Sequence, residues 1–348
     1  MAKGVGPDAA GRTVRMVEIA SAAGVSRSTV SNVMRGLPTV AEDVRERVLK
    51  EAARLGYIYD RGAASLRRRQ SNLVGLVIPD IANPFIAKTV RGAHGVLGER
   101  GYLVATVETG DEVPRQSLAL RSLAEHRADG FLLLPAIGSR LRPLLTSLGG
   151  LPTVILNRDI GAAGLDYVGP EEEAVAEAGA RHLIDDHGSA SVAYFGGPAG
   201  ARPRMIRSRA FGSVAHGRGV PVIGEWSVPC EATAAAAYAR ARVLIAAGGV
   251  PEGIQCHSDT VAYGLLRALR EAGLTPDRCR VIGCDDLDDS GFWNPAVTSI
   301  RVAPDAIGRD AARRLLLRMN GEVPGSGGAS AGRPSLVIRE SCGCPVTR

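Results

Sequence analysis

The 348-residue chain is 45% hydrophobic, which is enough apolar material for more than one packed core. It contains no run of about 18 apolar residues, and its first residues lack the apolar core of a secretory signal, so we expect a cytoplasmic protein without a membrane span. Its six cysteines include no Cys-x-x-Cys pair, and we interpret them as reduced thiols without a disulfide or metal role.

The positive charge of the chain is concentrated near its N-terminus. Residues 1–71 contain 13 Lys or Arg against 7 Asp or Glu, a net of +6, which equals the net charge of the whole chain. The remaining residues are therefore neutral overall. A small basic module on a neutral body is typical of proteins that bind the phosphate backbone of nucleic acids, and a solvated basic tail is the alternative.

Three short helices are predicted within residues 14–60, after a disordered leader at 1–13. The first ends at Gly24, and Ser26 caps the second, which runs from Arg27 to Met34. The third runs from Glu42 to Leu55. Small and branched apolar residues are expected to face the core, namely Met16, Ile19, Ala20, Ala23, Val30, Val33, Met34, Val44, Val48, Leu49, Ala52 and Leu55. This spacing is typical of a helix-turn-helix, and an ordinary three-helix bundle with a polar face is the alternative.

In a helix-turn-helix the second helix enters the major groove of DNA. Its first residues, Arg27 and Ser28, and its next outward turn, Ser31 and Asn32, would then point at base edges. Arg can bind guanine through two hydrogen bonds, and Asn can do the same with adenine.

The run Val25-Ser26-Arg27-Ser28-Thr29-Val30-Ser31-Asn32-Val33, with Leu55-Gly56-Tyr57 and Ala64-Ser65-Leu66-Arg67 further on, resembles the headpiece of the LacI family of bacterial repressors. The resemblance implies a hinge segment at 61–71 that folds on specific DNA and wedges Leu66 into the minor groove, beside a cluster of arginines. Asn32 stands where the family often has Arg, and Tyr59-Asp60 where it has Pro-Asn, which predicts an unusual operator. The expected DNA-binding residues are Arg15, Ser26, Arg27, Ser28, Ser31, Asn32, Arg35, Leu66 and Arg67.

From residue 72 onward, short apolar runs alternate with helical segments, which predicts parallel sheets with helices on both faces. The expected strands are Leu73–Pro79, Tyr102–Val107, Gly130–Leu134, Thr153–Asn157, Ser191–Phe195, Val220–Glu225, Gly253–His257, Arg280–Cys284, Thr298–Val302 and Ser335–Arg339. These elements are too many for one comfortable sheet, so two similar lobes are expected. The fold class is thus a small all-α headpiece followed by a two-lobed α/β sensor.

The resemblance to the LacI family extends through this region and implies a sensor like the periplasmic sugar-binding proteins, with three crossovers and an effector between the lobes. It places the N-lobe at about 72–168 and 301–331 and the C-lobe at about 169–300 and 332–342. Ligands of such sheets bind beyond the carboxyl ends of strands. The expected effector-binding residues are Asn83, Phe85, Ile86, Asp166, Arg207, Cys230, Ser258 and Asp285.

Asp285, Arg207 and Asp166 are the strongest of these candidates, and a role as a cap or turn residue is the alternative for each aspartate. Polar groups beside apolar ones suit a hydroxyl-rich ligand, a sugar or a sugar derivative. The loop Gly196-Gly197-Pro198 lacks the spacing of a phosphate-binding motif.

His182, Asp185, Asp186 and His187 could hold a metal, but a solvated helix end is the favoured interpretation. No catalytic arrangement with motif context is found, and no cofactor or metal is expected. The sequence therefore predicts a DNA-binding transcription regulator, a repressor that acts as a homodimer on a near-palindromic operator and responds to a carbohydrate. The alternatives are a solute-binding protein without a transcriptional role and an intracellular carbohydrate enzyme.

Overall fold

The computed structural model describes residues 14–58, 71–161, 164–322, 329–330 and 332–345. The chain divides into two compact units, Met1–Ser71 and Asn72–Arg348. The predicted leader, 1–13, and most of the predicted hinge segment, including Leu66 and Arg67, lie outside the described residues, so the roles expected of them stay predictions. No helix within the described part of the chain is long and apolar enough to cross a membrane.

The N-terminal unit contains three helices, α1 (Met16–Ala23), α2 (Arg27–Met34) and α3 (Glu42–Arg54). Gly24 ends α1 with a φ of 64°, a left-handed conformation in which glycine avoids the cost of a Cβ. Ser26 then caps α2, since its hydroxyl accepts a 3.1 Å hydrogen bond from the amide of Thr29. These two residues set the tight turn between α1 and α2, as the sequence predicts.

The core of this unit contains Ile19, Ala20, Ala23, Val30, Val33, Val48 and Ala52. The expected inward position of Leu49 is wrong, because 47% of this side chain is exposed. Val48, which was also expected to face the core, is fully buried, and the neighbouring position on a helix points about 100° away from it.

The second unit, called the sensor below, alternates strands and helices. Its strands are β1 (Leu73–Ile78), β2 (Leu103–Glu108), β3 (Gly130–Leu133), β4 (Thr153–Leu156), β5 (Asp166–Gly169), β6 (Val192–Phe195), β7 (Gly253–Cys256), β8 (Arg280–Cys284), β9 (Thr298–Arg301), β10 (Ala329–Ser330) and β11 (Ser335–Val337). Its helices are α4 (Pro84–Glu99), α5 (Val113–Glu125), α6 (Leu141–Leu148), α7 (Glu172–Arg181), α8 (Arg202–Gly217), α9 (Ala234–Ala247), α10 (Asp259–Glu271) and α11 (Pro304–Met319). A π-helical turn, His182–Asp186, extends α7, and a 3-10 turn spans Asp288–Gly291.

The sensor strands form two sheets. In the first lobe the order is β10-β5-β4-β3-β1-β2, with every pairing parallel. In the second lobe the order is β11-β9-β8-β7-β6, parallel except for the antiparallel edge strand β11. The chain crosses between the lobes after β5, after β9 and after β10, so three connections join them.

The strand expected at Val220–Glu225 is wrong. That segment makes only an isolated parallel bridge, from Val222 to Val192 of β6. Pro221 has no N–H to contribute to a strand ladder, which explains why the segment forms a single bridge rather than a full strand. The bridge lies beside β6 just as β2 lies beside β1, so the two lobes share one strand order.

Candidate functional site

The exposed side of α2 carries the residues expected to contact DNA. Arg27 and Ser28 are exposed at its first turn, and within the described residues no side-chain partner is seen for Arg27. Asn32, one turn later, accepts a hydrogen bond at Oδ1 from the Arg35 guanidinium, which also donates to the Ser31 carbonyl over 3.2 Å. Asn32 therefore presents its Nδ2 amino group as the freer donor, which suits the N7 and O6 acceptors of purines in the major groove.

Other arginines of the headpiece have structural contacts. Arg47 donates from Nε to the carbonyl of Ala23, 3.0 Å away at the end of α1, and Arg45 donates from Nη2 to the carbonyl of Leu37 over 2.6 Å. Both bonds tie α3 to the preceding segments by satisfying carbonyls at helix ends and turns. Positive charge alone therefore does not identify the base-reading residues.

A pocket of about 110 Å³ lies between the two lobes of the sensor. It opens at the carboxyl ends of β1, β4, β7 and β8, where ligands of parallel sheets bind. Its wall combines apolar and polar groups. The lining residues are Asn83, Phe85, Ile86, Leu134, Asn157, Arg158, Pro170, Glu172, Pro198, Ala201, Pro203, Arg207, Ala232, His257, Ser258 and Asp285.

A buried ion pair forms the floor of this pocket. The guanidinium of Arg207 on α8 pairs with the carboxylate of Glu172 at the start of α7, and both side chains are 6% exposed. Arg207 also donates from Nη1 to the carbonyl of His257 over 3.0 Å. Burial raises the pKa of Glu172, although Arg207 opposes this shift. The pair is fixed by several contacts, so it can orient a ligand without rearranging.

Asp285 provides a carboxyl group of altered acidity. It follows β8 in a left-handed conformation, with a φ of 108°, and is 7% exposed. Burial, together with the nearby carboxylate of Asp259, raises its pKa well above the usual range. This shift favours the neutral carboxyl, which can donate as well as accept a hydrogen bond.

His257 is held as a neutral imidazole. Burial and the charges of Arg207 and Arg204 lower its pKa well below the ordinary value. Its Nδ1 lies 2.9 Å from the hydroxyl of Tyr194, whose pKa is raised by burial, so a neutral phenol and a neutral imidazole share this hydrogen bond. A neutral imidazole has one donor and one acceptor nitrogen, so a ligand can bond His257 without meeting a charge.

Asn157 follows β4 and is 7% exposed, with a φ of 52°. Among the described residues, neither its Oδ1 nor its Nδ2 has a hydrogen-bond partner. An unpartnered buried amide costs about 1 to 3 kcal/mol, and such groups in native proteins call for a functional explanation. Because this amide lines the pocket, a bound molecule could satisfy both of its atoms.

Comparison with known proteins agrees with this arrangement. A model described as bacterial regulatory proteins, lacI family, matches residues 15–60, and a model of a periplasmic binding protein-like domain matches residues 180–342. The chain thus contains a LacI-family helix-turn-helix domain and a periplasmic-binding-protein-like domain. It is a DNA-binding transcription regulator with a ligand-binding sensor, and the alternative of a solute-binding protein is not supported.

Several relatives of this chain match it over most of its length. The HTH-type transcriptional repressor PurR of Photobacterium profundum is 28% identical, over 93% of this chain and 97% of that protein. The HTH-type transcriptional regulator GntR of Pseudomonas aeruginosa is 29% identical, over 88% of this chain and 89% of that protein. The ribose operon repressor of Escherichia coli K12 is 27% identical, over 87% and 92%.

Solved structures share the fold. A lac repressor dimer bound to operator and the anti-inducer ONPF superposes with a TM-score of 0.83 at 23% identity, covering 95% of this chain and 99% of that one. A complex of the regulator CelR with cellobiose gives a TM-score of 0.69 at 24% identity, covering 94% and 99%.

The pocket of the sensor brings together six of the eight residues expected there. They come from segments far apart in the sequence and are Asn83, Phe85, Ile86, Arg207, Ser258 and Asp285. Two of them also have structural roles, since Asn83 caps α4 and Ser258 caps α10.

The expectation for Asp166 is corrected by the structure. This residue begins β5, so it lies at the opposite edge of the sheet from the pocket, and its carboxylate forms two hydrogen bonds with Arg318 at 2.6 and 2.8 Å. The expectation for Cys230 is corrected as well, because its half-buried thiol packs with the second-lobe core and Ala232 lines the pocket instead. The nearby Trp226 is fully buried in that core.

Sequence reasoning did not identify Glu172 or His257 as pocket residues. Glu172 begins a helix after a strand, and His257 follows β7 directly. Each stands at a strand end or a crossover, which is the signal that could have found them. Asn157 and Arg158, at the carboxyl end of β4, were not among the expected ligands either.

Proposed function

We propose that this regulator is a repressor whose affinity for its operator is controlled by a small uncharged sugar, or an uncharged sugar derivative, bound between the lobes. The observation that supports this most strongly is the buried, unpartnered amide of Asn157 in the pocket wall. A hydroxyl group can donate to Oδ1 and accept from Nδ2, and adjacent sugar hydroxyls can do both at once.

The charges of the pocket favour a neutral ligand. Its two guanidinium groups already have carboxylate partners, because Arg207 pairs with Glu172 and Arg158 pairs with Asp111 at 2.5 Å. Asp285 has a raised pKa, which disfavours a negative charge at that position. Among the described residues that line the pocket, no cation is left over for a phosphate group. Phe85, Ile86 and Leu134 can cover the C–H face of a sugar ring.

The partner of the N-terminal unit is operator DNA. We infer a homodimer on a near-palindromic site, since one helix-turn-helix contacts only one half-site and the lac repressor structure similar to this chain is a dimer on its operator. On this proposal Arg27, Ser28, Ser31 and Asn32 read bases, and Arg15, Ser26 and Arg35 support or flank them. A protein acting on chromosomal DNA would work in the cytoplasm, where the sequence analysis places it.

Ligand binding can be tested on the full-length protein with a panel of pentoses, hexoses and their phosphates. Both tryptophans, Trp226 and Trp293, belong to the sensor, so intrinsic fluorescence reports sensor unfolding. We expect at least one neutral sugar to raise the thermal midpoint, because a ligand that binds only the folded state stabilises it. Stabilisation by phosphorylated sugars alone would overturn the proposed ligand class.

The variant Asn157→Gly makes this test specific. Glycine accepts the left-handed backbone at no cost, so the variant removes the amide without adding strain. We expect sugar affinity to fall about tenfold or more while the ligand-free thermal midpoint stays within the range of the control. Asn72→Gly is the matched control, because Asn72 also has a positive φ, 54°, and does not line the pocket. Equal sugar affinity in both variants would remove Asn157 from the site.

A further inference from the structure

Four side chains of metal-binding type meet at the C-terminal end of the helix that begins with Glu172. They are His182 and His187, from the π-helical turn and the residue after it, and Cys342 and Cys344, from the segment after β11. Their potential ligand atoms all lie within 4.8 Å of one another. His182 and Cys342 are buried, and His187 and Cys344 are half-buried. We call this group the His2Cys2 cluster.

Three distances between ligand atoms of the His2Cys2 cluster are close to those around one tetrahedral ion. With Zn–N bonds of about 2.05 Å and Zn–S bonds of about 2.3 Å, tetrahedral geometry puts two nitrogens about 3.3 Å apart and a nitrogen about 3.6 Å from a sulfur. The Nε2 atoms of His182 and His187 are 3.2 Å apart. Cys344 Sγ lies 3.8 Å from Nε2 of His182 and 3.2 Å from Nε2 of His187.

Local structure explains why the two histidines converge. A π-helical turn bonds residue i to residue i+5, so residues five apart lie one turn apart, whereas an α-helix would splay them. Such turns occur often at functional sites. Asp186 Oδ2 lies 2.7 Å from Nδ1 of His182, the ring nitrogen that faces away from the cluster, and this contact directs Nε2 toward the cluster. Zinc-binding histidines commonly have such a carboxylate partner.

The two cysteines converge through a tight turn. Gly343 between them has a φ of 80°, which lets the chain reverse within the Cys-Gly-Cys sequence. Cys342 Sγ accepts a 3.1 Å hydrogen bond from the hydroxyl of Thr298, as a thiolate ligand would. The orientation of the Cys342 sulfur is therefore set by a neighbour on β9.

We propose that the His2Cys2 cluster is a structural zinc site of the sensor. Two thiolates and two imidazoles in a closed tetrahedral set select Zn²⁺ among the common divalent ions, and four protein ligands leave no position for a substrate. The ion would clip the C-terminal segment, which follows the last crossover between lobes, onto the end of α7. Glu172 lies at the other end of α7, so this site is separate from the effector pocket and does not depend on the proposed function.

The competing account is a hydrogen-bonded cluster without metal, in which one imidazole N–H donates to the other ring and to sulfur. It predicts no uptake of metal. The two accounts separate on the full-length, untagged protein, purified with a phosphine reductant that keeps thiols reduced. Zinc content is measured by mass spectrometry after dialysis, and uptake of Co²⁺ is followed by optical absorption. We expect one zinc per chain, and a cobalt form with the ligand-field and thiolate charge-transfer bands of a tetrahedral sulfur-containing site.

Variants then locate the site. Cys344→Ser and His187→Gln should each lower zinc retention at least tenfold, while the controls Cys279→Ala and His216→Gln retain it, because Cys279 packs in another core of the second lobe, His216 is exposed on α8, and neither belongs to the cluster. Chelation of zinc should lower the thermal midpoint of the parent, and added zinc should restore it. The cobalt spectrum of the parent tests the site even if a variant fails to fold. Reduced protein without zinc or cobalt uptake, or equal retention in cluster and control variants, would overturn the proposal.

Discussion

Single side chains decide what the headpiece can read. Arg27 and Asn32 point outward from α2. Arg45 and Arg47 instead donate hydrogen bonds to backbone carbonyls of the same unit. Because Arg35 occupies Oδ1 of Asn32, the free Nδ2 can donate to a purine.

We predict that Asn32→Ala will relax base preference at one position of each half-site, at a cost of about 1 to 3 kcal/mol for the preferred base. Selection of binding sites from randomised DNA measures this. Arg15→Ala, at an exposed position outside the recognition helix, is the comparison and should weaken all sequences about equally. If the selected sequences of Asn32→Ala equal those of the parent, Asn32 does not read bases.

A buried carboxyl group makes the sensor sensitive to pH. Burial raises the pKa of Asp259 to about 6, although Ser290, Ser299 and the amide of Leu287 donate hydrogen bonds to it. In the unfolded chain an aspartate titrates near about 3.9. Between these values the folded protein keeps a proton that the unfolded chain releases, so the free energy of unfolding falls as pH rises from about 4 to about 6. Above about pH 6 the contribution of Asp259 no longer changes with pH.

The predicted loss from Asp259 is up to about 3 kcal/mol, from a shift of about two pKa units. Asp259→Asn should make the decline in the tryptophan-detected free energy of unfolding between pH 4 and 6 shallower. Asp288→Asn is the control, because that carboxylate is exposed and pairs with Lys88, and it should keep the decline of the parent. A parent sensor that gains stability over this interval would contradict the assignment.

At the scale of elements, α4 and α11 pack closely because glycines stand at their contact. A Cβ at Gly308 would overlap the carbonyl oxygen of Thr89, and one at Gly92 would overlap that of Asp305. The helices also carry an ion pair between Arg91 and Asp305 at 3.1 Å. These two helices cover one face of the first-lobe sheet, so their separation sets the packing of Leu76 and Leu132 beneath them.

We predict that Gly308→Ala destabilises the sensor by about 1 to 3 kcal/mol or more, since backbone atoms must move apart. Gly95→Ala on α4 is the matched control, because nothing lies within 4 Å of its added Cβ. Alanine there should stabilise by about 0.5 to 1 kcal/mol. Chemical denaturation followed by circular dichroism measures the free energy of unfolding of both variants. Equal changes would show that the close helix contact at Gly308 does not exclude a Cβ.

Most elements could be predicted from sequence, because apolar runs of four to six residues and helical periodicity are local signals. The strand expected at Val220–Glu225 was predicted wrongly, because an apolar run does not show whether the segment pairs with a neighbouring strand along its length. Asp166 was misplaced because a polar residue next to an apolar run can stand at either end of a strand. The His2Cys2 cluster joins segments more than 150 residues apart, and a local sequence pattern does not predict contacts between such distant segments.

At the scale of the whole molecule, the sensor joins two lobes of like strand order around one pocket. A ligand that bonds Asn157 from the first lobe and Asp285 from the second favours one arrangement of the lobes, and only such a difference in affinity can shift their equilibrium. The sequence predicts that the segment containing Leu66 carries this change to DNA. That segment lies outside the described residues, so this link remains a prediction.

The most direct test of ligand-controlled DNA binding is an anisotropy titration of the selected near-palindromic operator with full-length protein, with and without the sugar that stabilises the sensor. The account predicts that saturating sugar changes operator affinity about 5- to 150-fold in the parent and in Asn72→Gly. In Asn157→Gly it predicts that the same change requires a sugar concentration about tenfold or more higher, with sugar-free operator affinity preserved. Equal operator affinity with and without bound sugar in the parent would contradict it.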